Sequence, residues 1–149
     1  MGFARTGVAH IAAVLLTTVL VSAIATQINL SSLEDIGADI SFAVRVSTTI
    51  SDLAQFGPLL GGILLFGLTI AFAVAAAIIG RLPSLRNFGY TLAGFATIIA
   101  VLQAITFFFA LQFDSGITPI PASRTMFGLL AMAFGGAAGG YFFARMTMR

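Results

Sequence analysis

Four apolar segments, each long enough to cross a bilayer as a helix, dominate this sequence of 149 residues. A helix needs about 20 mostly apolar residues to span the hydrocarbon core. Only 8% of the residues are charged, against roughly a quarter in soluble domains. We predict an all-α membrane protein, a bundle of four transmembrane helices in one domain. The predicted spans are residues 6–27, 58–79, 88–113 and 124–145.

The first segment allows two interpretations. Arg5, the apolar stretch 11–21 and the Ala-Ile-Ala sequence at 23–25 also fit a cleavable secretory signal peptide, which would leave three spans. We favour a retained helix, because the uninterrupted apolar segment is long enough to span.

A polar segment at residues 29–55 separates the first two spans. Apolar and polar residues alternate over 40–47, as in a strand, whereas apolar residues at i, i+3, i+7 and i+11 from Leu33 fit one helical face. Both patterns predict a short amphipathic extramembrane segment, and they leave helix or strand open. We expect the second span to begin at Pro58, because a missing N–H costs nothing in a first turn.

Small residues recur four positions apart along three predicted spans. They are Gly67, Ala71 and Ala75 in the second span, Ala96, Ala100 and Ala104 in the third, and Gly135, Gly136, Gly139 and Gly140, preceded by Gly128, in the fourth. Such stripes let helix backbones approach closely where lipid provides no hydrophobic drive for association. We expect the second-span stripe to pack on the glycines of the fourth span. Because the fourth span has two glycine stripes, one is predicted to face a partner.

Gln103 is the most informative polar residue, because it lies near the middle of the third predicted span. An unpaired amide in hydrocarbon is costly. Thr17, Thr18 and Thr69 lie at comparable depths on other spans and are the expected hydrogen-bond partners. A structural role is favoured over a place in a solute pathway.

His10 and Arg124 are the remaining candidates for binding. His10 lies about one turn inside the first span, and we interpret it as an interfacial or hydrogen-bonded histidine, with ligand binding or proton relay as the alternative. Arg124 opens the fourth span, where the helix dipole disfavours a cation. We expect an ion pair with Asp114 or Asp52, or else an anionic group of a lipid, quinone or partner. Ser123 is the predicted N-cap.

The composition argues against most chemistry. Cysteine is absent and there is one histidine, so thiolate and bis-histidine metal or haem sites cannot be built within one chain. No carboxylate lies inside a predicted span, which argues against a proton-coupled exporter of the small drug-resistance kind. A net charge of +2 gives no basis for binding nucleic acid. We predict no catalytic residue, no metal and no cofactor.

Arginine placement predicts the orientation, because short loops rich in arginine stay in the cytoplasm. With four spans, one side carries Arg5, Arg81, Arg86, Arg145 and Arg149, and the other carries Arg45 and Arg124. We therefore expect both termini in the cytoplasm and a location in a bacterial inner membrane.

For function, the leading hypothesis is a non-enzymatic integral membrane subunit, an anchor, assembly or scaffolding component that acts through its helix-packing faces. Its partners are the lipid bilayer and either other membrane subunits or a second copy of itself. The alternatives are a homo-oligomeric channel or carrier for a small neutral solute, lined by Gln103 and the threonines, or a quinone- or lipid-handling subunit that uses His10 or Arg124.

Overall fold

The structure, a computed structural model, describes residues 3–80, 83–113 and 119–148. Its four long helices are α1 (Phe3–Glu34), α2 (Phe42–Ile79), α3 (Arg86–Phe113) and α4 (Met126–Met146). The connections contain two short 3-10 helices, Pro83–Leu85 and Pro121–Arg124. Within the described residues there is no strand. The prediction of an all-α fold with four long helices is confirmed.

All four helices are long and apolar enough to cross a membrane. The shortest, α4, has 21 residues, or about 32 Å at 1.5 Å per residue, close to the roughly 30 Å of a hydrocarbon core. The longest, α2, has 38 residues, or about 57 Å. α2 is therefore much longer than one crossing requires.

The polar segment 29–55 forms no separate element beside the bundle. Residues 29–34 complete α1, residues 42–55 begin α2, and only 35–41 connect the two helices. The expectation that a helix begins at Pro58 is therefore wrong, because Pro58 lies inside α2. The strand alternative is wrong as well. Hydrogen bonds between α1 and α2, described below, hold this first half of α2 in place.

The start of α4 also differs from the prediction. Thr125 is the N-cap, and its Oγ1 accepts the Gly128 N–H at 3.1 Å. Ser123, the expected cap, donates its hydroxyl to the Ile120 carbonyl at 2.8 Å. Arg124 therefore lies in the 3-10 helix before α4, outside its first turn.

Each helix packs mainly on two others, so the helices form a ring in the order α1, α2, α3, α4. Thr18 of α1 faces Gly61 of α2, while Thr26, further along α1, bonds to Asp52, which precedes Gly61. α1 and α2 therefore run antiparallel, and the same comparison holds for the other neighbouring pairs. The core lies inside this ring, and Leu64, Leu68, Ile98 and Met132 are among its fully buried residues.

Two buried glycines of α4 lie directly against the backbone of α3. A Cβ added to Gly136 would overlap the carbonyl group of Gly94, and one added to Gly140 would overlap the carbonyl group of Tyr90. A backbone carbonyl cannot swing aside as the tip of a side chain can. The α3–α4 contact therefore requires glycine at these positions.

The other two glycines of the run face α1. A Cβ added to Gly139 would overlap Oγ1 of Thr17, and one added to Gly135 would lie 3.2 Å from Cγ2 of Val21. Both stripes therefore pack within the chain, and the expectation that one is left for a partner is wrong. The expectation that the small residues of α2 pack on the glycines of α4 is wrong too, since Gly67 faces α3.

We expect Gly140→Ala to destabilise the bundle by about 1–3 kcal/mol, because the new methyl group forces α3 away from α4. Gly62→Ala is the matched control. It also replaces a glycine inside a helix, and its Cβ would meet nothing within 4 Å. Thermal unfolding in detergent micelles, followed by circular dichroism, measures the difference. Equal melting temperatures for the two variants would contradict the close α3–α4 contact.

Candidate functional site

Gln103 lies on the outer surface of α3, where its side chain is exposed. Ala100 and Phe107, one turn to either side, are exposed as well. Within the described residues, no hydrogen bond joins the Gln103 amide to another group. The side chain therefore projects from the bundle among apolar neighbours, with its donor and acceptor atoms unused by this chain.

The threonines expected to pair with Gln103 bond elsewhere. Thr17 donates to the Ala13 carbonyl and Thr18 to the Val14 carbonyl, each at 2.8 Å. Both hydroxyls are buried, whereas Gln103 is on the outside. A hydroxyl that bonds the carbonyl four residues earlier needs no partner on another helix. The predicted bonds from Thr17 and Thr18 to Gln103 are therefore wrong.

The third threonine, Thr69, bonds to His10. His10 Nε2 lies 2.9 Å from Thr69 Oγ1, and the Thr69 hydroxyl donates to the Leu65 carbonyl at 2.6 Å. That hydroxyl has a single proton, so it accepts from His10, which assigns the N–H to Nε2. The imidazole meets Phe72 and Phe143 edge-on, with ring centroids 5.7 and 6.1 Å away. His10 thus links α1 to α2 beside an aromatic cluster.

Two arginines hold the C-terminal end of α4, a feature that sequence analysis missed. Arg86 donates to Thr147 Oγ1 at 2.6 Å and to the Thr147 carbonyl at 3.2 Å. Its guanidinium also lies 5.3 Å from the centroid of the Tyr90 ring. Arg5 donates to the Met146 carbonyl at 3.1 Å. These carbonyls lack partners within the helix and carry the negative end of its dipole, so cations stabilise them.

A polar network joins α1 to α2 at the opposite end of the bundle. Arg45 forms an ion pair with Glu34 and donates to Gln27 Oε1 at 2.9 Å. Gln27 in turn donates to Thr49 Oγ1 at 2.9 Å. The network also explains why the polar segment continues the two helices, because its side chains bond across the interface between them.

Asp52 belongs to the same interface, where its Oδ2 accepts from Thr26 at 2.8 Å. Asp52 is one of two carboxylates expected to pair with Arg124. The other, Asp114, lies outside the described residues. Arg124 itself is exposed, in the 3-10 helix before α4.

An open apolar groove of about 560 Å³ runs between α2 and α3 on the surface of the bundle. Its walls include the predicted small residues Gly67, Ala71, Ala75, Ala96 and Ala100. Ala104, the last of the α3 stripe, is exposed beyond the groove. Thr97 is the one polar side chain in the lining, and its hydroxyl donates to the Ala93 carbonyl at 2.7 Å. The groove therefore offers an apolar surface without a free hydrogen-bonding side chain.

We expect Glu34→Gln to loosen the connection at 35–41, because it removes the carboxylate that pairs with Arg45. Pairs this exposed are worth at most about 1 kcal/mol, so limited proteolysis of the connection should be roughly two- to fivefold faster. The matched control is Asp35→Asn, the exposed neighbouring acid. Similar cleavage rates for the two variants would show that the ion pair does not hold the connection.

Comparison with known proteins does not assign the chain to a family. No family model matches the chain, and no curated protein or solved structure matches it. Among the described residues, no three His, Cys, Asp or Glu side chains come together as ligands for a metal ion. A function therefore has to be inferred from the surfaces described above.

Proposed function

We propose that this chain is a non-enzymatic integral membrane subunit that packs the α2–α3 groove against a transmembrane helix of a partner. It serves as an anchor, assembly or scaffolding component of a membrane complex. The lipid bilayer surrounds the rest of its surface.

The groove is the observation that carries this proposal. Transmembrane helices associate by close packing at small residues and by hydrogen bonds. The glycines of α4 are used inside the bundle, whereas Ala96 and Ala100 remain exposed in the groove. From Gly67 to Ile79 the groove follows α2 for more than three turns, or about 18 Å. This length suits a helix lying along it.

The distribution of charge supports a membrane orientation with both termini in the cytoplasm. Arg5 and Arg86 contact the C-terminal end of α4, where Arg145 also lies. The carboxylates of the described residues lie at the other end, on Glu34, Asp35, Asp39 and Asp52. Arginine-rich ends stay in the cytoplasm, which in a bacterium makes this an inner-membrane protein.

The extra length of α1 and α2 supports an extramembrane segment made of their paired ends. The Arg45–Glu34 ion pair lies between these ends, while Phe42 and Ile50 are 81% and 64% exposed on the outside. Arg45 and Thr49 of α2 bond to α1 within this segment, and the exposed apolar residues of its outer surface suit the membrane interface or a partner.

The two other functions have less support from the contacts. A solute pathway needs polar groups along one route, but Gln103 is on the outside while Thr17 and Thr18 are buried and bonded to their own helix. A quinone or lipid site at His10 would have to form beside Phe72 and Phe143, whose rings already pack on the imidazole.

We expect Ala96→Leu to release the chain from its complex, because the larger side chain fills the groove that receives the partner helix. Ala110→Leu is the matched control, an exposed alanine on the same helix outside the groove. Each variant is extracted from native membranes in mild detergent and its assembly mass is measured on native gels. We expect a drop in mass for Ala96→Leu alone. A wild-type chain that runs without partners would contradict the proposed function.

A further inference from the structure

We propose that Gln103 joins two copies of this chain through reciprocal hydrogen bonds between parallel α3 helices. The inference rests on the proposed membrane function and names one partner for this side of the bundle, a second copy of the chain. It concerns the exposed α3 face formed by Ala96, Ala100, Gln103 and Ala104, at i, i+4, i+7 and i+8.

The first step is the position of the amide in hydrocarbon. Leu92, about three turns before Gln103, is 51% exposed, and Phe107 and Leu111 beyond it are 66% and 69% exposed. An outer surface that is apolar on both sides of Gln103 lies in lipid, where water cannot satisfy the amide. No described group of the chain bonds to it, so its partner has to come from another molecule.

The second step identifies that molecule. Two copies inserted with the same orientation place Gln103 at the same depth, so a twofold axis along the membrane normal brings the two side chains together. An amide carries both a donor and an acceptor, so each Gln103 donates to the other, as an isologous contact requires. A different subunit would need a polar group at this depth, whereas a second copy has one automatically.

The third step is access. Ala100 and Ala104 flank Gln103 on the exposed face and are small, so the two α3 backbones can come close enough for the amides to meet. Ala96 and Ala100 also form part of the groove wall, and the second copy's α3 therefore lies along the α3 side of the groove.

The absence of cysteine from the chain allows a clean cross-linking test. Ala100→Cys is made in the full chain, with Gln103 intact or with Gln103→Leu, and each protein is treated in native membranes with a short bismaleimide. We expect a cross-linked dimer with Gln103 and a loss of most of it with leucine. Ala138→Cys, on the exposed side of α4, is the control and should give no dimer.

A second measurement distinguishes a weaker dimer from a folding defect in the Gln103→Leu variant. Förster transfer between labelled copies in liposomes, diluted with lipid, gives the dimer dissociation constant, and size exclusion checks the fold. Two interhelical bonds at about 0.6 kcal/mol each correspond to a roughly sevenfold weaker dimer for Gln103→Leu. Gln103→Asn, which keeps the amide, should restore part of the affinity.

The outcomes separate this inference from the proposed function. Equal dimer yield and affinity with leucine at 103 would overturn the role of Gln103. Cross-linking of Ala100→Cys to an unrelated membrane protein would overturn the second copy as partner and leave the subunit function standing. A chain that cross-links to nothing and migrates alone would overturn both.

Discussion

The contact between the glycines of α4 and the backbone of α3 is the constraint on which the rest of the bundle depends. Gly136 and Gly140 bring α4 against the carbonyl groups of Gly94 and Tyr90. On its other side, α4 meets α1 at Gly139, where an added Cβ would overlap the side-chain Oγ1 of Thr17. Both glycine stripes of α4 therefore pack within the chain. The small residues Ala96, Ala100 and Ala104 of α3, in contrast, stay exposed.

Hydrogen bonding along the helices makes Gln103 informative. Thr17, Thr18 and Thr97 each donate to the carbonyl four residues earlier, which removes their polarity from the packing surfaces. Such bonds need no precise partner on another helix, so they tolerate apolar neighbours. A glutamine side chain is longer than that of threonine and makes this local bond to its own helix less routinely. The Gln103 amide, in contrast, has no hydrogen bond to any described group of the chain.

The sequence predicted what depends on local pattern and missed what depends on contacts between distant positions. Four apolar segments were enough to predict four helices, and glycine spacing was enough to predict that α4 packs closely. Periodicity could not identify α1 and α3 as the helices that meet those glycines, since any neighbour with small or yielding residues would fit. Pro58 suggested a helix start because proline suits a first turn. Bonds such as the one from Thr26 to Asp52 instead hold the part of α2 that precedes Pro58 against α1. His10 and Thr69 lie 59 positions apart, beyond any spacing rule.

The polar network between α1 and α2 lies at the end of the bundle opposite the C-terminal end of α4. α4 contacts α1 at Thr17, Val21 and Ile24, whereas the bonds of this network run from Thr26 to Glu34. Directional bonds between these two helices hold their register at this end. The same reasoning applies to α3 on the outside of the bundle. Its inner face is fixed by glycine contacts, and its outer face carries the unbonded amide of Gln103 beside Ala100 and Ala104. In the proposed dimer, a helix packed there would gain both the close approach and the missing hydrogen bond.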